Sequence, residues 1–329
     1  MTRSHLAVLG PTCSWKSDTA ILVAERLGGE IVNCDSMLVY RGLDIGTAKP
    51  SPAELARVPH HLVDCLDLRE PCDAAAYVGM AEASLDEIEG RGRIAVLAGG
   101  TGLYARSLIY GLNLLPSDPA LAAELQRCLA LPGGLDALRQ ELEARTRAAV
   151  PIPPEVLRNP RRLLRALEVV RLTGEAPWQM HRRLPARPPQ RHFDQYVLMP
   201  DMAVLKPRIE ARTSAMLQAG WIAEAQTLMG RGLLGTPTAR QALGYRDIAE
   251  FLAGRIPSRA DLAALLVRHT VAYARRQRTW FGHQHPGAVM VFIRRTSTPA
   301  ELADVILRHW NGASGRNDTA TTMASVTLG

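Results

Sequence analysis

Short, mainly apolar runs alternate with longer amphipathic stretches along the first third of the chain. The runs lie at 5–9, 30–33 and 93–98, and they have the pattern expected of strands buried on both faces of a parallel sheet. Stretches with helical periodicity lie between them, at about 17–27 and 73–89. Because strand and helix alternate, this part predicts an α/β fold with a doubly wound parallel sheet flanked by helices.

The pattern changes near residue 114. Helical stretches broken by proline and polar residues continue until a further apolar run at 195–199, and helices resume at about Asp201. The predicted organisation is an α/β core formed by 1–113 and 193–310, an all-helical insertion at 114–192 and a tail at 311–329. The tail is rich in small polar residues, which predicts disorder.

Positive charge is concentrated in the predicted insertion. The 329-residue chain has a net charge of +7 and a pI near 9.5. Between Arg158 and His192 there are nine arginines but only two acidic residues, Glu168 and Glu175. The excess of positive charge in this stretch therefore equals the net charge of the whole chain. The nine are Arg158, Arg161, Arg162, Arg165, Arg171, Arg182, Arg183, Arg187 and Arg191. They indicate a surface that contacts nucleic-acid phosphates, although a solvated basic face has the same composition.

The first turn of the chain has the order of a phosphate-binding P-loop, which is typical of ATP- and other nucleotide-binding proteins. It follows the first strand and leads into the first helix, so backbone amides, the helix N-terminus and Lys16 can surround phosphate oxygens. The hydroxyl of Ser17 can hold a magnesium ion. Trp15 occupies the place of the second glycine, where a bulky residue in a left-handed conformation costs about 1–2 kcal/mol.

Two strand ends beside the P-loop carry further polar residues. Asp35 follows the second strand, and the run 93–98 ends in Gly99-Gly100-Thr101. Since ligands bind at the carboxyl ends of parallel strands, Asp35 is placed to act on a substrate, although a helix N-cap fits it equally. P-loop hydrolases usually have an acidic residue for magnesium after such a run. Its absence here predicts a loop that holds a diphosphate without hydrolysing a nucleotide.

Cysteine usage indicates the compartment. Five cysteines without a CxxC pair argue against a disulfide framework and a zinc site and fit a reducing cytoplasm. The sequence shows neither an apolar leader nor a run long enough to span a membrane, so we expect no membrane association. The adjacent His60 and His61 begin a further strand and point to opposite faces, which favours a structural role.

Several stretches resemble, in order along the chain, the signatures of one enzyme family. They are Gly10–Ser17, Asp35-Ser36 with Tyr40-Arg41-Gly42, Asp44–Pro50 (DIGTAKP), His60-His61-Leu62, Gly99-Gly100-Thr101 with Tyr104, Arg162–Glu168, Arg240–Tyr245 and Arg276–Trp280. The family is the tRNA dimethylallyltransferases, also called isopentenyl-tRNA transferases. The resemblance runs from about His5 to Phe292.

The resemblance implies a P-loop NTPase-like fold and a prenyl transfer reaction. Members move a dimethylallyl group from its diphosphate to the exocyclic amine, N6, of adenosine 37 in tRNAs that read codons beginning with U. It further implies that Arg212 helps the P-loop to bind the diphosphate, that Asp35 takes the proton from the amine and that Thr101 holds the base. We expect a cytoplasmic monomer, with magnesium as cofactor and with dimethylallyl diphosphate and the tRNA anticodon stem-loop as partners.

The resemblance assigns residues to each role. The catalytic residues are Asp35, Thr101 and Arg212. The diphosphate or nucleotide is bound by Gly10, Pro11, Thr12, Cys13, Ser14, Trp15, Lys16 and Ser17, and the metal by Ser17. The tRNA is contacted by Asp35, Ser36, Met37, Leu38, Thr101, Asn159, Pro160, Arg161, Arg162, Leu163, Arg240, Gln241, Ala242, Leu243, Gly244, Tyr245, Arg276 and Gln277.

Two residues depart from the family pattern. Trp15 replaces the P-loop glycine, and Asn159 stands where many members carry an acidic residue. Trp15 leaves open a catalytically impaired tRNA-binding homologue, while the P-loop leaves open a small-molecule kinase or a relative that prenylates free adenine nucleotides. Prenyl transfer that requires tRNA separates the family activity from all three. From the loop alone, we expect the substitution Trp15→Gly to raise transfer.

Overall fold

A computed structural model describes residues 4–112, 115–146, 151–183, 191–313 and 325–327. The chain divides into an α/β unit, formed by Met1–Ile109 and Pro189–Gly329, and a helical unit, Tyr110–Pro188. The helical unit lies a few residues earlier than the insertion predicted at 114–192.

The α/β unit is built on one parallel sheet. Its strands are β1 His5–Leu9, β2 Glu30–Asn33, β3 His60–His61, β4 Ala95–Gly99, β5 Phe193–Pro200, β6 Val289–Ile293 and β7 Ser325–Thr327. They are ordered β3-β2-β4-β1-β5-β6-β7, and every neighbouring pair is parallel. The P-loop strand β1 therefore lies between β4 and β5, with Ala7 opposite Leu97 and Gln195. The predicted parallel α/β sheet is confirmed.

Helices follow most strands. They are α1 Lys16–Leu27, α2 Pro52–Arg57, α3 Ala74–Gly90, α4 Gly102–Tyr110, α5 Pro119–Ala130, α6 Gly134–Thr146, α7 Pro154–Arg158, α8 Pro160–Thr173, α9 Pro177–Arg183, α10 Met202–Gln218, α11 Trp221–Gly230, α12 Tyr245–Leu252, α13 Arg259–Gln284 and α14 Pro299–Ala313. Short 3₁₀ turns lie at Leu233–Gly235 and Ala239–Gln241. Among the described helices, none is long and apolar enough to cross a bilayer.

The core of the α/β unit explains the apolar runs. All five residues of β1 are buried, and Leu6 and Val8 pack with Ile21 of α1 and Val96 of β4. A strand covered on both faces needs apolar side chains at every position, which is why the run lacks the alternation of a half-exposed strand.

The helical unit has its own apolar core. Leu125, Leu142, Leu163 and Leu167 are fully buried in it. Asn159 caps α8, because its side chain accepts hydrogen bonds from the backbone N–H groups of the first turn. Asn159 therefore acts as the N-cap of α8, as an acidic residue at this position would, although its side chain has no charge.

Two short parts of the predicted tail have regular structure. Helix α14 continues to Ala313, and Ser325–Thr327 pairs with β6. The prediction of disorder is wrong at these two segments, since helix and strand hydrogen bonds hold their backbones. The rest of the tail lies outside the described residues.

Candidate active site

The P-loop turns sharply between β1 and α1. Gly10 packs so tightly that a Cβ there would lie 2.7 Å from the Leu198 carbonyl oxygen. Further along the loop, Cys13 and Trp15 both adopt left-handed backbone conformations, with φ of 61° and 62°. Trp15 therefore takes the backbone conformation for which glycine is the usual residue, and α1 begins immediately after it.

A cavity opens at the start of α1. It has a volume of about 190 Å³ and is lined by P-loop residues 13–18 together with Arg208 and Arg212 of α10. Burial lowers the pKa of the Lys16 ammonium, while the nearby carboxylate of Asp35 acts in the opposite direction. Lys16, Arg208 and Arg212 give the cavity an excess of positive charge, which suits a multiply charged anion.

Two side chains from distant helices hold the P-loop. The Arg212 guanidinium donates hydrogen bonds to Thr12 Oγ1 (3.2 Å) and to the Thr47 carbonyl oxygen (3.3 Å). The buried Gln277 accepts from the Thr12 backbone N–H (2.8 Å) and donates to the Gly100 carbonyl oxygen (2.8 Å). Gln277 thereby ties the P-loop to the loop that follows β4.

A carboxylate and a hydroxyl lie together at the ends of β2 and β4. Thr101 Oγ1 accepts from the Ser36 backbone N–H at 2.9 Å, so the two loops are directly joined. Oδ1 of Asp35 accepts from the Met37 N–H at 2.9 Å. Within the described part of the chain, Oδ2 of Asp35 accepts no hydrogen bond. This fixed carboxylate has one oxygen available for a proton donor on a substrate.

Tyr273 of α13 interacts electrostatically with the Asp35 carboxylate. Its pKa is raised, first by burial and then by the Asp35 carboxylate. The geometry of the site thus combines an anion cavity, a carboxylate and a hydroxyl at one edge of the sheet.

Comparison with known proteins gives the family of the chain. A family model described as IPP transferase matches residues 38–284. The tRNA dimethylallyltransferase of Thermus thermophilus is 42% identical over 306 residues, which cover 92% of this chain and 95% of that protein. The corresponding protein of Halorhodospira halophila is 44% identical over 292 residues, covering 87% of this chain and 92% of that one. The chain belongs to the IPP transferase family.

Solved structures of family members have the same fold. The full-length tRNA isopentenylpyrophosphate transferase of Bacillus halodurans is 31% identical and superposes with a TM-score of 0.67, covering 95% of this chain and 99% of that one. A eukaryotic dimethylallyltransferase acting on tRNA is 20% identical, with a TM-score of 0.75, and covers 99% of this chain and 82% of that one. The predicted P-loop NTPase-like fold is confirmed.

The family segment DIGTAKP is held by a residue that no motif indicated. Glu224 of α11 accepts from the backbone N–H groups of Asp44 (3.1 Å), Ile45 (2.7 Å) and Gly46 (3.1 Å). The Tyr245 hydroxyl also donates to Glu224, at 2.6 Å. Gly46 is required here, because a Cβ would lie 2.1 Å from the Trp221 indole nitrogen. No local sequence pattern indicates Glu224, because the backbone N–H groups that it binds lie far away in the chain.

The residues predicted to contact tRNA have different environments. Arg161, Arg162, Arg240, Gln241 and Arg276 are exposed, as a nucleic-acid contact requires. By contrast, the buried members are Leu163, Ala242, Gly244, Tyr245 and Gln277. The hydrogen bonds of Tyr245 and Gln277 give these two a positioning role, and their direct contact with tRNA stays a prediction.

The basic stretch is partly used within the protein. Arg165 donates to the Leu115 carbonyl oxygen and to Glu168, both at 2.7 Å. Arg171 pairs with Glu124 and Glu141, and Arg191 donates to Glu89. The side chains of Arg182, Arg183 and Arg187 lie outside the described residues. Arg158, Arg161 and Arg162 are the exposed arginines that the described part of the stretch offers to a partner.

The donor set at the P-loop fits magnesium held mainly by a substrate. Among the described residues, no group of three histidine, cysteine or acidic side chains could hold a metal ion. The exposed Ser17 at the start of α1 offers a single hydroxyl oxygen beside the cavity. Mg²⁺ usually keeps several waters and binds through few protein oxygens together with substrate phosphates, so this arrangement is compatible with it.

Proposed function

We propose that this protein transfers a dimethylallyl group from dimethylallyl diphosphate to N6 of adenosine 37 in tRNAs that read codons beginning with U. The observation that carries the proposal is the juxtaposition of a cationic P-loop cavity with Asp35 and Thr101 at the adjacent strand ends. One group binds the leaving diphosphate, and the other meets the nucleophilic amine. Family relatives named tRNA dimethylallyltransferase support this assignment.

The reaction breaks the carbon–oxygen bond between the allylic carbon and the diphosphate and forms a carbon–nitrogen bond to the adenine amine. Negative charge grows on the departing diphosphate. Lys16 and Arg212 meet this charge, because they lie at the cavity before the reaction begins, and preorganised cations lower the barrier. The P-loop therefore serves a leaving group instead of a transferred phosphoryl group.

The proton of the amine passes to Asp35. Its Oδ1 is held by the Met37 N–H, which leaves Oδ2 to orient the amine and to take the proton as nitrogen becomes positive. The Thr101 hydroxyl lies next to this carboxylate through its bond to Ser36 and holds the base by hydrogen bonding. The adenine must first leave its stack, which costs a few kcal/mol that contacts with the anticodon loop offset.

In this proposal Ser17 would hold magnesium beside the diphosphate, and the ion would supply positive charge to the leaving group. Support comes from the hydroxyl beside the cavity and from the few protein ligands that the ion needs. We also propose that the protein acts as a monomer in the cytoplasm. Residues of one chain supply both the cavity and the carboxylate, so the site needs no second subunit.

Incorporation of radiolabelled dimethylallyl diphosphate into tRNA that lacks the modification tests the function. With magnesium present, we expect label at adenosine 37 after nuclease digestion. Asp35→Ala should abolish transfer, while binding of tRNA in a filter assay stays close to that of the unaltered protein. Asp67→Ala removes an exposed acid of the same unit and serves as the matched control.

Two results would contradict the proposal. Label in free adenine nucleotides without tRNA would indicate a different substrate. Equal loss of transfer and of tRNA binding in Asp35→Ala would show that this carboxylate is not the base.

A further inference from the structure

Arg208 lies beside the P-loop with one nitrogen of its guanidinium unsatisfied. Its Nη1 is buried and has no hydrogen-bond partner. Within the described part of the chain, no carboxylate forms an ion pair with this side chain. Buried cationic donors are nearly always paired, because leaving them unpaired is costly. The side chain nevertheless lines the cavity at the start of α1.

Trp15 holds this guanidinium in place. The Cζ atom of Arg208 lies 3.2 Å from the centroid of the indole ring. The ring also packs against the apolar core of the α/β unit. Guanidinium groups stack on aromatic faces, which restricts their rotation without using any of their N–H groups. The residue that departs from the P-loop pattern is thus the support for the unpaired cation.

The charges around Arg208 leave room for an anion. Arg212 lies one helical turn further along α10 and faces the same cavity. Asp18 is the acidic residue among those that line the cavity. Lys16, Arg208 and Arg212 therefore outnumber the acidic side chain that could neutralise them.

We propose that Arg208 is a diphosphate-binding residue of this protein and that Trp15 positions it by stacking. The inference rests on the proposed function, since it concerns the leaving group of that reaction. A glycine at position 15 would relieve the left-handed backbone but would leave the guanidinium without its support. The expectation drawn from the loop alone, that Trp15→Gly raises transfer, is therefore replaced by an expected loss of diphosphate affinity.

Calorimetric titration of the full chain with inorganic pyrophosphate and magnesium, without tRNA, tests the role of Arg208. Since hydrogen bonds to charged groups contribute more than neutral ones, Arg208→Gln should weaken binding by about tenfold or more. Arg208→Lys keeps the charge but loses the planar fork, so it should recover only part of the affinity. Lys206→Gln removes a charge from an exposed position of the same helix and should leave binding unchanged.

A structural role for Arg208 would give a different result. In that case Arg208→Gln would lower the melting temperature and the affinity for tRNA together with that for pyrophosphate. We expect only the affinity for pyrophosphate to change. Pyrophosphate binding by Arg208→Gln equal to that of the unaltered protein would overturn the assignment.

A double-mutant cycle tests the support by Trp15. Relief of the backbone at position 15 is the same whether or not Arg208 is present, so it cancels in the cycle. We expect the effect of Trp15→Gly on pyrophosphate binding to be about threefold more unfavourable in the unaltered background than in the Arg208→Gln background. An equal effect in both backgrounds would overturn the support.

The two proposals fail separately. A protein that labels tRNA while Arg208→Gln binds pyrophosphate normally contradicts only the role of Arg208. A protein that binds pyrophosphate through Arg208 but leaves tRNA unlabelled contradicts only the proposed function.

Discussion

The two ends of the central strands carry charges that are arranged in opposite ways. At the amino end of β2, the buried Glu30 carboxylate is hydrogen-bonded to His61 at 2.6 Å and to Arg91 at 2.8 Å. At the amino end of β1, His5 is bonded to Glu89 at 2.8 Å. The polar atoms of these side chains are satisfied by one another's hydrogen bonds.

The carboxyl ends of the same strands hold charges that are poorly matched. Lys16, Arg208 and Arg212 line one cavity, and one oxygen of Asp35 is left for a substrate. Loops from several strands converge at this edge of a parallel sheet, so the chain can place there groups that do not stabilise each other. Paired charges at one edge support the fold, whereas unpaired charges at the other edge require a ligand.

Removal of a cation from the carboxyl edge should cost activity and not stability. We expect Lys16→Met to lower kcat/KM for dimethylallyl diphosphate by about 100-fold, because a preorganised charge at the leaving group is lost. The free energy of unfolding at neutral pH should rise, since burial opposes the charged form of Lys16. Steady-state kinetics and urea unfolding measure the two effects. A variant that is both less active and less stable would show that the two edges do not differ in this way.

The same lysine predicts a pH dependence. Burial lowers the pKa of Lys16 from the ordinary value of 10.5, so rising pH removes its charge earlier than that of an exposed lysine. Pyrophosphate affinity of the unaltered protein should therefore fall at alkaline pH more steeply than that of Lys16→Met. Pyrophosphate ionises in the same way in both titrations, so its own contribution to the pH dependence cancels when the two profiles are compared. Parallel pH profiles would contradict the prediction.

Removal of the charge at the amino edge should have the reverse outcome. Hydrogen bonds from Arg91, opposed by burial, lower the pKa of Glu30 from 4.5 to about 2. The folded state thus favours the charged form, and this stabilisation is present above pH 4.5 and is lost as the pH falls toward 2. We expect Glu30→Gln to lower the free energy of unfolding by about 2 kcal/mol at neutral pH and by less near pH 3.

Urea unfolding at the two pH values measures this effect, and prenyl transfer below the unfolding transition should be unchanged. Glu25→Gln is the matched control, because Glu25 pairs with Arg57 at a partly exposed position and such pairs contribute little. A loss of stability that does not depend on pH would indicate packing damage instead of a lost ion pair.

The sequence predicted the parts of this comparison that depend on local pattern. The buried strands, the P-loop and the strand-end position of Asp35 follow from apolar periodicity and from the order of elements. Glu224, Arg208 and the bond that Gln277 makes to the P-loop are different, because their partners lie far away along the chain: Gln277 meets Thr12, and Arg208 meets Trp15. Trp15 could be identified as a departure, but Arg208, the residue on which its ring stacks, could not be found from the loop.

The helical unit allows a smaller test, because it contains both kinds of charge within α8. Arg161 and Arg162 are exposed, whereas Arg165 is bonded to Leu115 and Glu168. The double variant Arg161→Gln/Arg162→Gln should weaken tRNA binding by about tenfold at low salt and reduce the salt slope by about 1–2, since two phosphate contacts are removed. Its affinity for pyrophosphate should not change.

Arg165→Gln is the matched variant on the same helix. It should lower the melting temperature and leave the salt slope of tRNA binding as it was, because its guanidinium is occupied within the unit. Filter binding across a salt series and thermal unfolding distinguish the two variants. If Arg165→Gln reduces the slope as much as the double variant, pairing within the protein does not separate structural from RNA-binding arginines on α8. If the slope changes only in the double variant, the distinction between paired and unpaired charges extends beyond the sheet to the helical unit.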